Sequence, residues 1–176
     1  MSATARFLLP PALLAFGFAI CAPSHATKRE NENYANPASS CQLSVPTTDT
    51  QVRPKATGYR NESTTKSAFV ICGYDTPSKD SNSKVVLVDF TSMDGVSRNI
   101  SCTAVNGMAG TEPLTYSTKS VPSTYQGTFS ALFWYPGDFG GTRDIPLGEA
   151  MSVTCTLPPQ TAITQLYNSF DSEIGN

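Results

Sequence analysis

The sequence predicts an all-β fold, a disulfide-stapled antiparallel β-sandwich of about eight strands, Greek-key or jelly-roll in type. Three observations predict it. From Cys41 onward the chain consists of short runs rich in Val, Ile, Thr, Tyr and Phe, separated by Gly, Pro, Asn, Asp and Ser. No segment carries a sustained helical period of apolar residues with capping signals. Four cysteines follow an apolar N-terminal leader, as in a domain oxidised after export.

Met1–Ala26 reads as a secretory signal peptide. It has a lone cation at Arg6, an apolar stretch Phe7–Ile20, and small residues at Ser24 and Ala26 before the expected cleavage. Pro10 and Pro11 interrupt the apolar stretch, and Ile20 is too large for the residue before a lipidated cysteine at Cys21. Cleavage removes His25, the sole histidine, and leaves a mature chain of about 150 residues, the size of one domain. Of 12 Lys and Arg only Arg6 is lost, so 11 remain against 14 Asp and Glu, a formal charge of −3. That balance offers no basic stripe for phosphates, so a nucleic-acid partner is not expected. No later run approaches the length of a membrane span, so no membrane association is expected after the signal is removed. The expected location is secreted or periplasmic.

Thr27–Ser40 (TKRENENYANPASS) is polar and nearly free of aliphatic residues, and is expected as a flexible polar leader. The β-sandwich domain is then 41–176. Its first strand is Val52–Asn61, with Pro54 suiting an edge. Ser67–Gly73 and Lys84–Thr91 follow, apolar on both faces like strands inside a packed sheet. Met93-Asp94-Gly95 turns the chain into Ser97–Ala104, where Ile100, Cys102 and Ala104 share a face. Leu114–Val121, Thr124–Tyr135, Ala150–Leu157 and Ala162–Phe170 complete the set, with Val153, Cys155 and Leu157 aligned.

Four cysteines permit three pairings, and the sequence does not choose among them. Hairpin geometry favours Cys41–Cys72 with Cys102–Cys155. The start of a first strand lies near the end of the second, and the other two cysteines sit mid-strand on inward faces.

Chemistry is sparse. Without histidine no Ser-His-Asp or Cys-His arrangement can be built. S-x-x-K occurs twice, at Ser63–Lys66 and Ser81–Lys84, but both fall in turns before strands and read as ordinary turn residues. Carboxylates cluster at Asp138, Asp144 and Glu149, and Asp89 and Asp94 flank a strand end, which is the raw material of a small glycosidase-like hydrolase. Solvated loops explain them equally well. Asp75, Asp80 and Asn82 offer hard oxygen ligands for calcium, with Lys84 opposing it. No other metal and no cofactor is expected. Two glycosylation sequons begin at Asn61 and Asn99.

The richest stretch is Phe133-Trp134-Tyr135-Pro136-Gly137-Asp138-Phe139-Gly140-Gly141. Phe133 and Tyr135 fall on one face of the strand with Phe129 and Ala131, which assigns most of these rings to the core. Trp134 points the other way and is the expected exposed platform. Trp134, Tyr135, Asp138 and Phe139 are therefore the candidate ligand-binding residues, for a glycan or protein partner.

The order of features also resembles a group of uncharacterised secreted β-rich, four-cysteine proteins of Gram-negative bacteria. The residues that carry the resemblance are Cys41, Gly58–Thr64, Val70-Ile71-Cys72, Val85–Phe90, Ile100-Ser101-Cys102-Thr103 and Val153-Thr154-Cys155-Thr156-Leu157-Pro158-Pro159. Where that group has a proline after its second cysteine, this chain has Gly73. The resemblance covers nearly all of the mature domain and implies fold and location, with no catalytic residue to carry over. The expected function is a secreted, non-catalytic binding or surface-interaction module. The alternatives are the carboxylate hydrolase and a structural subunit of an envelope assembly, and oligomeric state is left open.

Overall fold

The structure, a computed structural model, describes residues 27–45, 51–75, 82–107, 109–110, 113–124, 130–141, 145–146 and 151–174. The expected signal peptide lies outside them, as do Asp80, Asp144 and Glu149.

The described chain opens with β1 (Thr27–Ala35), a helical turn α1 (Pro37–Ser40) and β2 (Cys41–Leu43). There follow β3 (Val52–Lys55), β4 (Gly58–Asn61), β5 (Ala68–Tyr74), β6 (Asn82–Ser92), β7 (Asn99–Asn106) and β8 (Thr115–Pro122). Then come β9 (Ala131–Trp134), a 3-10 turn (Pro136–Phe139), β10 (Ile145–Pro146), β11 (Met151–Leu157) and β12 (Thr161–Ile174). All pairings are antiparallel and build two sheets, of seven and five strands, in keeping with the predicted sandwich. In the larger sheet β6 and β12 lie side by side at the centre. The free edge of β12 takes β4 along its first residues and β1 along its last, while β9 and β10 share the far edge of β6. The smaller sheet runs β2-β5-β11-β7-β8.

Alternation places the core. Met151, Val153, Cys155 and Leu157 on β11 are buried in strict turn, as are Ile100, Cys102 and Ala104 on β7 and Val70, Cys72 and Tyr74 on β5. The larger sheet answers with Val86, Val88 and Phe90 on β6, Ile163 and Leu166 on β12, and Leu132 and Trp134 on β9.

Both expected disulfides form, Cys41–Cys72 and Cys102–Cys155, with Cα atoms 4.0 and 4.1 Å apart. Each joins residues directly opposite on neighbouring strands, and both lie in the smaller sheet. Neither ties the two sheets together. That is done by packing and by polar contacts across the sandwich. The Tyr74 hydroxyl donates to the Leu87 carbonyl at 2.9 Å, and Trp134 Nε1 to the Ser117 carbonyl at 3.0 Å. The buried Asn61 amide donates to the Leu157 carbonyl at 2.9 Å and the Lys66 carbonyl at 2.8 Å. Of the two sequons, then, Asn61 is committed inside the fold while Asn99 is exposed.

Three expectations are corrected. The flexible leader Thr27–Ser40 is instead a nine-residue strand and a helical turn, so the described sandwich begins at Thr27 rather than Cys41. A ladder to β12 requires main-chain groups, not apolar side chains, and an edge strand tolerates polar residues on both faces. Val52–Asn61 is broken by Ala56-Thr57 into the hairpin of β3 and β4. With β1, β2 and β10 added, the described residues hold twelve strands, against the roughly eight expected.

The hairpin depends on Gly58. Its φ of +130° suits glycine, and an added Cβ would collide with the Ile163 carbonyl oxygen. Gly58→Ala is expected to cost about 1–3 kcal/mol. The urea midpoint should fall without a change in slope. An unchanged midpoint would mean that the seam between β4 and β12 yields freely.

Candidate functional site

The two sheets present different faces to solvent. On the smaller sheet the outward positions of the three adjacent strands β11, β7 and β8 are mostly hydroxyl-bearing: Ser152, Thr154 and Thr156, Ser101 and Thr103, Thr118 and Ser120. Thr103 and Thr118 share a hydrogen bond of 2.8 Å across the strands. Exposed rings occur there singly, at Phe69 and Tyr116.

The larger sheet instead carries a continuous row. Tyr34 of β1 lies opposite Tyr167 of β12, Tyr167 opposite Leu87 of β6, and Leu87 opposite Phe133 of β9. Directly opposed residues share a face, so these four side chains cross four adjacent strands, about 14 Å at ordinary strand spacing. Tyr135, one pleat beyond Phe133, extends the row. Its ring lies 6.2 Å from that of Phe133 with planes 5° apart. At the opposite end the rings of Tyr34 and Tyr167 are 4.8 Å apart and tilted by 52°. Tyr34 is 62% exposed and Tyr135 51%, whereas Leu87 in the middle of the row is 7% exposed.

Alternation also brings acids to this face. Glu30 and Glu32 project from β1 on the same side as Tyr34. Glu32 accepts from the Tyr34 hydroxyl at 3.3 Å through one oxygen and from the Tyr167 hydroxyl at 3.1 Å through the other. Desolvation and the Glu32 charge both raise the two tyrosines, which therefore stay protonated and donate. Glu30 accepts from the Ser169 hydroxyl at 3.0 Å. Asp171 pairs with Lys84 at 2.9 Å. At the β12 bulge, desolvation raises Asp89 against the lowering contacts from the Phe90 and Ser130 backbone and Thr164.

The sequence-predicted residues fare unequally. Trp134 is fully buried, and its indole is bonded to β8. It is a core residue, and the expected platform is corrected on that point. The phase of β9 is opposite to the one expected: Leu132 and Trp134 face in, and Phe133 and Tyr135 face out. Tyr135 does lie on the solvent face. Asp138 accepts from Lys119 Nζ at 2.7 Å and from the Tyr135 amide at 2.7 Å. Burial pushes its pKa up, but Lys119 and that amide outweigh burial and hold it low. It anchors the turn that carries Tyr135. Phe139, half-buried, packs against the core.

The hydrolase candidates do not converge among the described residues. Asp94 is held well below the usual carboxylate range by Arg98 and by the Val96 amide, with Ser92 adding a bond, so it closes its own turn. Asp138 is engaged by Lys119, and Asp144 and Glu149 lie outside. For calcium, Asp75 is exposed at the end of β5, Asn82 begins β6 and Asp80 lies outside. No group of three metal-binding side chains occurs among the described residues. None of their helices is long and apolar enough to cross a membrane.

Sequence reasoning missed Tyr34, Glu32, Leu87 and Tyr167. The one available signal was the Glu-Asn-Glu-Asn-Tyr alternation of residues 30–34, a strand period written without apolar residues. Compared with protein families, curated proteins and solved structures, the chain matches none.

Proposed function

We propose that this protein is a non-catalytic binding module that takes an extended glycan along the outer face of its larger sheet. The observation that carries the reading is the row Tyr34–Tyr167–Leu87–Phe133, set by register across four strands. Aromatic rings offer flat apolar area at small entropic cost, which suits the C–H faces of sugar rings. Carboxylates beside the rings accept from sugar hydroxyls. The rings stand on a sheet face rather than along an edge, where a peptide would add as a strand. Three of the edge strands are blunted against strand addition: β3 contains Pro54, β8 turns Lys119 inward and ends in Pro122, and β1 is charged. The two disulfides support action in an oxidising compartment, outside the cell or in a periplasm.

The test is a glycan array followed by titration of the best oligosaccharide. Tyr167→Ala and Tyr135→Ala are each expected to weaken binding about tenfold or more, which is roughly 1.4 kcal/mol. Thr154→Ala, on the opposite face, should leave affinity unchanged, and all three variants should melt within a few degrees of the parent. Equal affinity for the parent and both tyrosine variants would remove the face as the site.

A further inference from the structure

We propose that the ligand of this face is an amine-bearing glycan, an oligomer of amino sugars with free ammonium groups. The inference rests on the glycan reading above and adds the chemical class. The ring row defines the site, and the charges beside it select what lies there.

At the β1 end of the row, the carboxylates of Glu30 and Glu32 stand one pleat apart next to the exposed Tyr34 ring. Among the described residues neither forms an ion pair. Of the cations on the same face, Lys84 is drawn to Asp171 at 2.9 Å and Lys28 lies at the far end of β1. Arg53 and Arg60 lie on β3 and β4, beyond the β12 bulge, with Arg53 paired to Glu62. At the opposite end of the row Lys119 Nζ sits 5.9 Å from the centre of the Tyr135 ring. Each oxygen of Glu32 receives one tyrosine hydroxyl, which fixes the carboxylate and leaves further lone pairs open.

An ionised carboxylate only accepts, and an ammonium group only donates, through three hydrogens. The two are complementary in charge and in hydrogen-bond sense, and the contact is charge-assisted. An ammonium beside Tyr34 also gains from the negative face of the ring. A neutral sugar hydroxyl meets the acceptors but not the charge. At the Glu30 and Glu32 end of the row a uronate or sulfated sugar is repelled.

The test titrates the intact mature protein with three oligomers of equal length: glucosamine, N-acetylglucosamine and glucose, with hexalysine as a fourth probe. The glucosamine oligomer is expected to bind about tenfold or more tightly than either neutral oligomer at low salt. High salt should close that gap. Glu32→Gln, and Glu30→Gln with it, should lower affinity for the glucosamine oligomer alone, and Tyr167→Ala should weaken every oligomer that binds. Equal affinity for charged and neutral oligomers, still lost in Tyr167→Ala, would overturn the amine inference and leave the glycan reading standing. Glucosamine binding indifferent to Tyr167→Ala would overturn it as mere charge attraction. Hexalysine binding as tightly through Tyr167 would overturn it in favour of a basic peptide. No binding of any oligomer would overturn it as well, with the array then deciding the glycan reading.

Discussion

Trp134→Ala is expected to destabilise the fold by about 3–5 kcal/mol, the usual cost of removing a large aromatic from a closed core. Trp134 is the largest of the fully buried side chains, and it joins β9 of one sheet to β8 of the other through the Ser117 carbonyl. The substitution leaves both a cavity and a carbonyl without its donor, two penalties that add. Tyr135→Ala, one residue on, removes an exposed ring and should cost less than about 1 kcal/mol. Chemical denaturation of the two variants side by side reads the difference. A Trp134→Ala protein with an unchanged midpoint would return that residue to the surface.

The second large effect concerns Cys102–Cys155, which closes a loop of sequence separation 53. In the chain-entropy account such a loop is worth about 4 kcal/mol, with typical measured values of roughly 2–4. Cys102→Ala with Cys155→Ala should lower stability by that amount. Replacing Cys41 and Cys72, at separation 31, should cost a similar or slightly smaller amount. Because both bonds lie in the smaller sheet, the proposed glycan reading expects either variant to match the parent in oligosaccharide titration at temperatures where it remains folded. Lost affinity in a folded variant would mean that the smaller sheet positions the ring face. Denaturation curves paired with titration decide between these outcomes.

Much of the fold is legible from the chain because most strands write their own burial. β7 and β11 alternate cleanly, and their cysteines fall on the apolar phase, so the strand, its inward face and a plausible bond partner come together. β9 does not. In Ala131-Leu132-Phe133-Trp134 every residue is apolar, so either phase fits, and the choice is made by what faces the strand: the Ser117 carbonyl waits for an indole N–H. β1 was hidden for the opposite reason, having almost nothing apolar to write with. Its existence depends on β12 running past the end of β4 and leaving main-chain groups to be paired. The ring row could not be read at all. Tyr34, Leu87, Phe133 and Tyr167 are unremarkable one by one, and only register makes them neighbours.

Glu32 and Tyr167, which meet on the ring face, are 135 residues apart in the chain. The strand bearing Tyr34 and Glu32 is the earliest of the described strands to be synthesised, yet the edge it docks on belongs to the latest. Closure over so long a span is slow, and it has to wait until translation has reached β12. Until then the early strand has no sheet to join and half of the row is missing. A chain cut short anywhere before β12 thus lacks both Tyr167 and the edge that holds Tyr34, so the four-strand row exists only once synthesis and folding have run past β12.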